Sequence, residues 1–269
     1  MSATVRLNDG REMPLLGLGT WQLPDEDASA LVRTAIEAGY RLIDTAALYR
    51  NERGVGEGVL GAEGVWITTK VWNSDHGADQ TRRAVRESLD RLGVGSIDLY
   101  LIHWPAPRAN RFVETWATLL EMRDEGLLRS IGVSNFNIDH LERIERETGV
   151  IPAVNQIELH PGFQQRALAE YHRAKGIVTQ SWSPLGQGNL LREPRILHLA
   201  EKHRAGAAQV IIAWHIAQGF SAIPKSASPE RLRANLGALG LRLDDEDMAV
   251  LAAMDDPQGR VGPDPLHFE

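Results

Sequence analysis

The sequence predicts an α/β fold, a (β/α)8 TIM barrel with an N-terminal β-hairpin and two additional helices. Three observations carry that expectation. Eight short apolar runs alternate with longer amphipathic segments along the 269 residues. Glycines recur where a helix must close ahead of the next strand, at Gly39, Gly93, Gly126, Gly149, Gly176 and Gly219. The rival, a doubly wound sheet, needs a phosphate fingerprint after its first strand, and Gly17-Leu-Gly19-Thr-Trp-Gln22 lacks the third glycine and the immediate helix. No linker or low-complexity stretch divides the chain, so residues 1–269 read as one domain.

In chain order, Thr4–Leu16 reads as the hairpin, turning at Asn8-Asp9-Gly10. The eight strand candidates follow: Leu15–Thr20, Tyr40–Asp44, Val65–Lys70, Ile97–His103, Leu128–Val133, Ala153–Gln156, Ile177–Ser181 and Phe220–Lys225. Asn51 and the glycines Gly54, Gly56 and Gly58 are expected where the chain turns from the second strand into its helix. Ala78–Leu92 illustrates the intervening helices, with Val85, Leu89 and Leu92 on one face and Arg82, Arg83 and Arg86 on the other. The additional helices are expected at Arg195–Arg204 and Asp244–Met254.

Composition narrows the function classes. A net charge of −7 and a pI near 5.7 provide no basic excess for nucleic acid or an anionic membrane. Cysteine is absent, which removes disulfides, thiolate metal sites and a thiol nucleophile. The N-terminus has no signal-peptide pattern, and no apolar run reaches the roughly 20 residues of a membrane span. A cytoplasmic monomer acting on a small molecule is the expectation.

Barrels of this kind carry their chemistry at the carboxyl ends of the strands. Those ends here present Trp21, Asp44, Lys70, His103, Ser134 with Asn135, Gln156, Trp182 and Lys225. Singly, each has a structural explanation: a turn cap, a solvated cation, a satisfied core histidine. Jointly, strands two, three and four deliver Asp, Lys and His to one rim, with Tyr49 on the loop after the Asp. That group suits proton transfer to a carbonyl oxygen. A tyrosine of pKa about 10 is a poor partner at neutral pH, and a nearby ammonium draws that value down. Lys70 is expected to supply the ammonium, Asp44 to hold it, and His103 to align the oxygen. No metal-ligand spacing or nucleophile elbow is present.

Protonating a carbonyl without a nucleophile requires a hydride source. Trp182 provides a flat face for a nicotinamide, and Ser134, Asn135 and Gln156 provide donors and acceptors for its carboxamide. The small-residue loop Ser183-Pro-Leu185-Gly186-Gln187-Gly188 lets backbone approach a pyrophosphate. Ile223-Pro-Lys225-Ser226 leads into a helix capped by Ser228 and begun by Pro229, with Arg231 in its first turn, an arrangement suited to an anion.

From Val5 to about Gly262 the sequence resembles the aldo-keto reductase family, nearest its bacterial 2,5-diketogluconate reductase-like subgroup. The resemblance rests on Gly39-Tyr-Arg-Leu-Ile-Asp-Thr-Ala46, Ile131-Gly-Val-Ser-Asn-Phe136, Val154-Asn-Gln-Ile-Glu-Leu-His-Pro161 and Ile223-Pro-Lys-Ser226. It implies a catalytic tetrad of Asp44, Tyr49, Lys70 and His103, carboxamide contacts at Ser134, Asn135 and Gln156, and Trp182 stacked on the nicotinamide. It implies further cofactor contacts from Ser183, Leu185, Gly186 and Gln187. Lys225, Ser226 and Arg231 match the family's positions for an adenosine 2′-phosphate, which implies NADPH, and Asn235 matches an adenine contact. Ala234 stands where the family often has Glu, implying a weaker hold on the adenine.

Substrate contacts are expected from Trp21, Trp72 and Trp104 together with Tyr49 and His103, because these indoles lie at strand ends or in loops. Arg108 and Asn110 are within reach of a polar substrate, and Gly259–Glu269 is positioned to cover the rim. The expected substrate is a keto-sugar acid or a small aldehyde or α-ketoaldehyde. A regulatory barrel that binds NADPH without much turnover, and a metal-dependent hydrolase, are the alternatives; activity that survives a chelator and requires NADPH separates all three.

Overall fold

The structure, a computed structural model, describes residues 3–269. Eight barrel strands run β3 (Leu18–Gly19), β4 (Leu42–Asp44), β5 (Trp66–Val71), β6 (Ile97–Ile102), β7 (Leu128–Ser134), β8 (Val154–Glu158), β9 (Val178–Trp182) and β10 (Ser221–Ala222). They pair in sequence order, every neighbour parallel. The ring closes where Leu16 bridges Ala222 in parallel. Gly17 N donates to Ala222 O at 2.9 Å, and Ala222 N to Leu15 O at 2.8 Å.

The first and last barrel strands are much shorter than their apolar runs. Pro224 has no N–H to contribute, although its carbonyl still accepts from Gly19 N at 3.3 Å. The seam is also tight: a Cβ on Gly17 would lie 2.6 Å from the Leu42 side chain, and one on Gly19 2.7 Å from Ile223 O.

Side chains alternate across the barrel wall. Leu99, Leu101, Val154 and Val178 pack inside with Leu7 and Met13 from the hairpin. Tyr100, Ile102, Ile131, Val133 and Ile157 face outward into a larger apolar layer shared with the helices. The hairpin, β1 (Thr4–Arg6) and β2 (Glu12–Pro14), forms the floor. It is tied on by Asn8 Nδ2 donating to Pro152 O at 3.0 Å and by Ser130 Oγ donating to Asp9 Oδ2 at 2.6 Å.

The helices are α1 (Asp25–Ala38), α2 (Glu52–Val59), α3 (Ala78–Leu92), α4 (Phe112–Asp124), α5 (Ile138–Thr148), α6 (Arg166–Lys175), α7 (Pro194–Lys202), α8 (Ala207–Ala217), α9 (Pro229–Leu236) and α10 (Asp245–Ala252). α7 and α10 are the two additional helices. They are clamped together where Lys202 Nζ donates to Asp244 Oδ2 at 2.7 Å and Asp247 Oδ1 at 2.6 Å. All six expected helix-closing glycines have positive φ. Gly54, Gly56 and Gly58 behave differently: they lie inside α2 rather than at a turn. Added Cβ atoms there would approach Asp25 O at 2.2 Å, Leu92 O at 2.3 Å and Val32 Cβ at 2.7 Å, so these glycines allow α2 to nest between α1 and α3.

Candidate active site

Asp44 ends β4 and Lys70 lies near the end of β5, both on the inner wall and almost fully buried. Lys70 Nζ donates to Asp44 Oδ1 at 2.6 Å and to the Thr45 carbonyl at 2.8 Å. His103 follows β6, and Tyr49 ends a single 3-10 turn, Ala47–Tyr49. Asn51 fixes that loop from beneath, donating to Thr20 O and Leu23 O, both at 2.9 Å, while accepting from Thr45 Oγ1 at 2.6 Å. Lys70 Nζ lies 5.1 Å from the Tyr49 ring centre. The His103 ring meets Tyr49 edge-on at 5.7 Å and Trp72 at 5.1 Å. The four expected reaction residues therefore converge.

Burial sets the protonation states. It pushes the Asp44 carboxyl up and the Lys70 ammonium down, and their contact offsets part of both shifts. His103 is held neutral well below its ordinary range by burial and by the Lys70 charge, and its Nδ1 is sealed from solvent without a partner. Burial, aided by the Asp44 charge, drives the Tyr49 phenol well above 10. This corrects the expectation that Lys70 lowers it: Asp44 at 2.6 Å compensates the ammonium that would favour the phenolate.

Across the rim, Asn135 follows β7 in a left-handed conformation, φ 65°. Its Nδ2 donates to His103 O and to Ser134 Oγ, each at 3.0 Å, and its Oδ1 accepts from Trp182 Nε1 at 2.8 Å. Ser134 Oγ donates to Gln156 O at 2.8 Å. Gln156 Nε2 donates to Asp44 Oδ2 and to Gln180 Oε1, each at 2.7 Å. The three residues expected to meet a carboxamide are thus together, with their donors already engaged inside the protein.

The loop after β9 carries Ser183, Gly186 and Gln187 at positive φ, with Leu185 among them. Beyond β10, Ser226 is buried while Lys225 and Arg231 are exposed beside the start of α9. Ser228 caps that helix, its Oγ accepting from Arg231 N at 3.3 Å, with Pro229 in the first helical position. Asn235 is buried against the Tyr40 hydroxyl. Backbone approach at glycine, two exposed cations and a capped helix start suit a phosphorylated dinucleotide, so the residues present fit NADPH.

Of the three expected indoles, Trp72 and Trp104 join a cluster and Trp21 stands apart, 47% exposed. Sequence reasoning missed their main partner, Phe268, whose ring lies 4.4 Å from Trp104 and 6.1 Å from Trp72. The terminal segment crosses the rim as expected, pinned by a residue to which no role had been given. Buried Glu158, ending β8, accepts from Val261 N at 2.6 Å and from Gly262 N at 2.9 Å. Glu269 Oε1 accepts from Arg108 N at 2.8 Å. Asn110 is engaged by Arg143 of α5, which takes its amide oxygen away from a substrate. A second unassigned carboxylate, Glu52, lies buried on the outer side of β5, accepting from Thr69 Oγ1 at 2.6 Å and Arg91 Nε at 2.7 Å. Glu158 stands inside the Val154–Pro161 motif, a position that could have drawn notice; Phe268 lay beyond the resembling stretch.

Residues 15–256 match the aldo/keto reductase family. An aldo-keto reductase of Mycolicibacterium smegmatis is 48% identical over 272 residues, covering 100% of this chain and 98% of its own. Methylglyoxal reductase DkgA of Escherichia coli K12 is 45% identical, covering 98% of this chain and 97% of its own. A crystal structure of a Gox0644 mutant in complex with NADPH superimposes with a TM-score of 0.98 at 48% identity, covering 100% of this chain and 99% of that one.

Proposed function

Since the chain belongs to the aldo/keto reductase family, we propose that it is an NADPH-dependent reductase of small carbonyl compounds, with aldehydes, α-ketoaldehydes and keto-sugar acids as the substrate classes. The observation that carries this reading is the buried Lys70–Asp44 pair set beside Tyr49, with a neutral His103 facing the same tyrosine. The methylglyoxal reductase relative supports the α-ketoaldehyde class.

Bound NADPH supplies a hydride to the carbonyl carbon. The proton for the carbonyl oxygen comes from the Tyr49 hydroxyl. Because burial holds this phenol well above 10, Tyr49 carries its proton at neutral pH, as reduction requires. His103, neutral, donates a hydrogen bond that orients the oxygen toward Tyr49. Lys70 balances the phenolate left behind, and Asp44 keeps Lys70 in place. On the cofactor side, Ser134, Asn135 and Gln156 meet the carboxamide and Trp182 covers the ring. Ser183, Leu185, Gly186 and Gln187 line the pyrophosphate. Lys225, Ser226 and Arg231 take the 2′-phosphate, and Asn235 the adenine. Trp72, Trp104 and Trp21 wall the substrate with Tyr49 and His103. Water is kept out by the strap that Glu158 pins.

Replacing the hydroxyl alone tests the assignment. Tyr49→Phe should lower kcat for methylglyoxal by about 10²–10⁴-fold and leave the NADPH dissociation constant within about threefold. Undiminished turnover in steady-state assays would remove Tyr49 from the mechanism. At the phosphate seat, Lys225→Met and Arg231→Gln should each raise the KM for NADPH roughly tenfold while scarcely moving that for NADH. Equal effects on both cofactors would place the 2′-phosphate elsewhere.

A further inference from the structure

A continuous row of hydrogen bonds crosses the barrel interior, from Lys70 on β5 through Asp44, Gln156 and Gln180 to Ser221 on β10. Every member is at most 2% exposed. Lys70 and Asp44 belong to the reaction chemistry proposed above and Gln156 to the carboxamide seat. Gln180 and Ser221 have no part in either, although an apolar pair would pack there without polar atoms to satisfy.

The row has only one consistent assignment of donors and acceptors. Asp44 is ion-paired to Lys70 and can only accept, so the Gln156 amide must turn its nitrogen toward it, at 2.7 Å. The second hydrogen of that nitrogen goes to Gln180 Oε1 at 2.7 Å. Gln180 is itself oriented from behind: its Nε2 donates to Ser221 Oγ at 3.1 Å, and Ser221 Oγ donates to the Pro14 carbonyl at 3.4 Å. Both Gln156 N–H groups are therefore used. Its Oε1 accepts from none of the described residues and is not among the polar atoms sealed from solvent. The donors of Ser134 and Asn135 are spent as well: Ser134 Oγ donates to Gln156 O, and Asn135 Nδ2 donates to His103 O and to Ser134 Oγ.

From this geometry we infer that Gln180 is a positioning residue: by consuming the second N–H of Gln156, it presents only an acceptor to the nicotinamide carboxamide. The inference rests on the NADPH reading and deepens it. The seat selects a ring bearing an amide NH2, which can donate to Gln156 Oε1, over one bearing a methyl ketone, which cannot. Without Gln180, one Gln156 N–H lacks a partner and turns toward the site, where it can donate to a ketone as readily as to an amide oxygen.

Three ligands separate this from a general loosening of the barrel. NADP+, its 3-acetylpyridine analogue and adenosine 2′,5′-bisphosphate are titrated against the protein by calorimetry. Wild type should prefer NADP+ to the acetylpyridine analogue by roughly tenfold. Gln180→Met, nearly equal in volume, should bind NADP+ about tenfold more weakly, the analogue within about twofold of wild type, and adenosine 2′,5′-bisphosphate unchanged. Ser221→Ala, which frees Gln180 rather than removing it, should shift the preference the same way by a smaller factor, and it carries the test if Gln180→Met does not fold. A variant that weakens all three ligands alike, or that keeps the wild-type preference, overturns the role of Gln180. Wild type that fails to bind NADP+ overturns the cofactor reading instead.

Discussion

In the proposed mechanism, the Asp44–Lys70 pair serves chemistry at a cost to stability. Neither side chain has meaningful exposure, and among the described residues the carboxylate accepts from Lys70 and Gln156 alone. A buried pair of this kind contributes little net stability, yet removing one partner leaves an uncompensated charge, at a cost of about 3–5 kcal/mol. Lys70→Met should therefore destabilise strongly in urea unfolding, and so should Asp44→Leu. The double variant should lose much less than the sum of the two, and strict additivity in that cycle would show that the residues are not coupled. The same pairing explains why residue-by-residue reasoning misjudged Tyr49. A lysine next to a tyrosine reads as a depressed phenol, but the carboxylate that holds the lysine also offsets its charge, and burial then dominates. Residue types in the sequence indicate who is present; the sum of their fields depends on depth, which they do not report.

Among elements, α2 separates what glycine signals locally from what it signals through packing. The helix-closing glycines were legible because αL geometry is a property of a few neighbouring residues. The glycines of α2 were not, because their reason lies in α1 and α3, distant in sequence. Gly56→Ala should gain about 1 kcal/mol in helix propensity. The new methyl would stand 2.3 Å from the carbonyl oxygen of Leu92, a backbone atom that cannot change rotamer. Overpacking typically costs about 1–3 kcal/mol, and rigid backbone puts this site at or above the upper end. The expected net effect is a fall in melting temperature of roughly 5 °C, and a rise would show that α2 can shift outward freely. Strands divide in a similar way: β5 to β9 follow their apolar runs, whereas the seam at β3 and β10 is cut short by glycine and proline chemistry.

For the molecule as a whole, stability should follow pH through histidines remote from the reaction. Burial holds His172 neutral down to about 3, and burial with the nearby Arg111 charge holds His76 neutral down to about 4. The unfolded chain takes up these protons near the ordinary value of about 6.5, so below that pH it binds more protons than the fold does. This contribution is complete above about pH 6.5 and declines as pH falls, by up to about 1.4 kcal/mol per pH unit for each ring. Melting temperature should drop between pH 7.5 and 5, and His76→Gln should flatten the slope; an unchanged slope would place the acid sensitivity elsewhere. At this scale the barrel was readable from periodicity, and the convergence of Asp44, Tyr49, Lys70 and His103 from strand ends, because a (β/α)8 ring gives strand termini a common rim. Of the roof, the segment Gly259–Glu269 was expected but its fastenings were not, since Phe268 reaches Trp104 and Glu158 holds Val261 N through the path of a loop that no periodicity records. The interior row from Lys70 to Ser221 has a further consequence, for how such a protein can change over generations. Five side chains on different strands satisfy one another, Asp44 accepting from both Lys70 and Gln156 and Gln156 donating on toward Gln180 and Ser221. A replacement at any of them therefore strands its neighbours, and tolerated changes there must arrive as linked sets. Trp21 and the side chains of the segment from Val261 to Phe268 lie outside that row. New substrates can be explored at the mouth one substitution at a time, while the machinery beneath stays fixed.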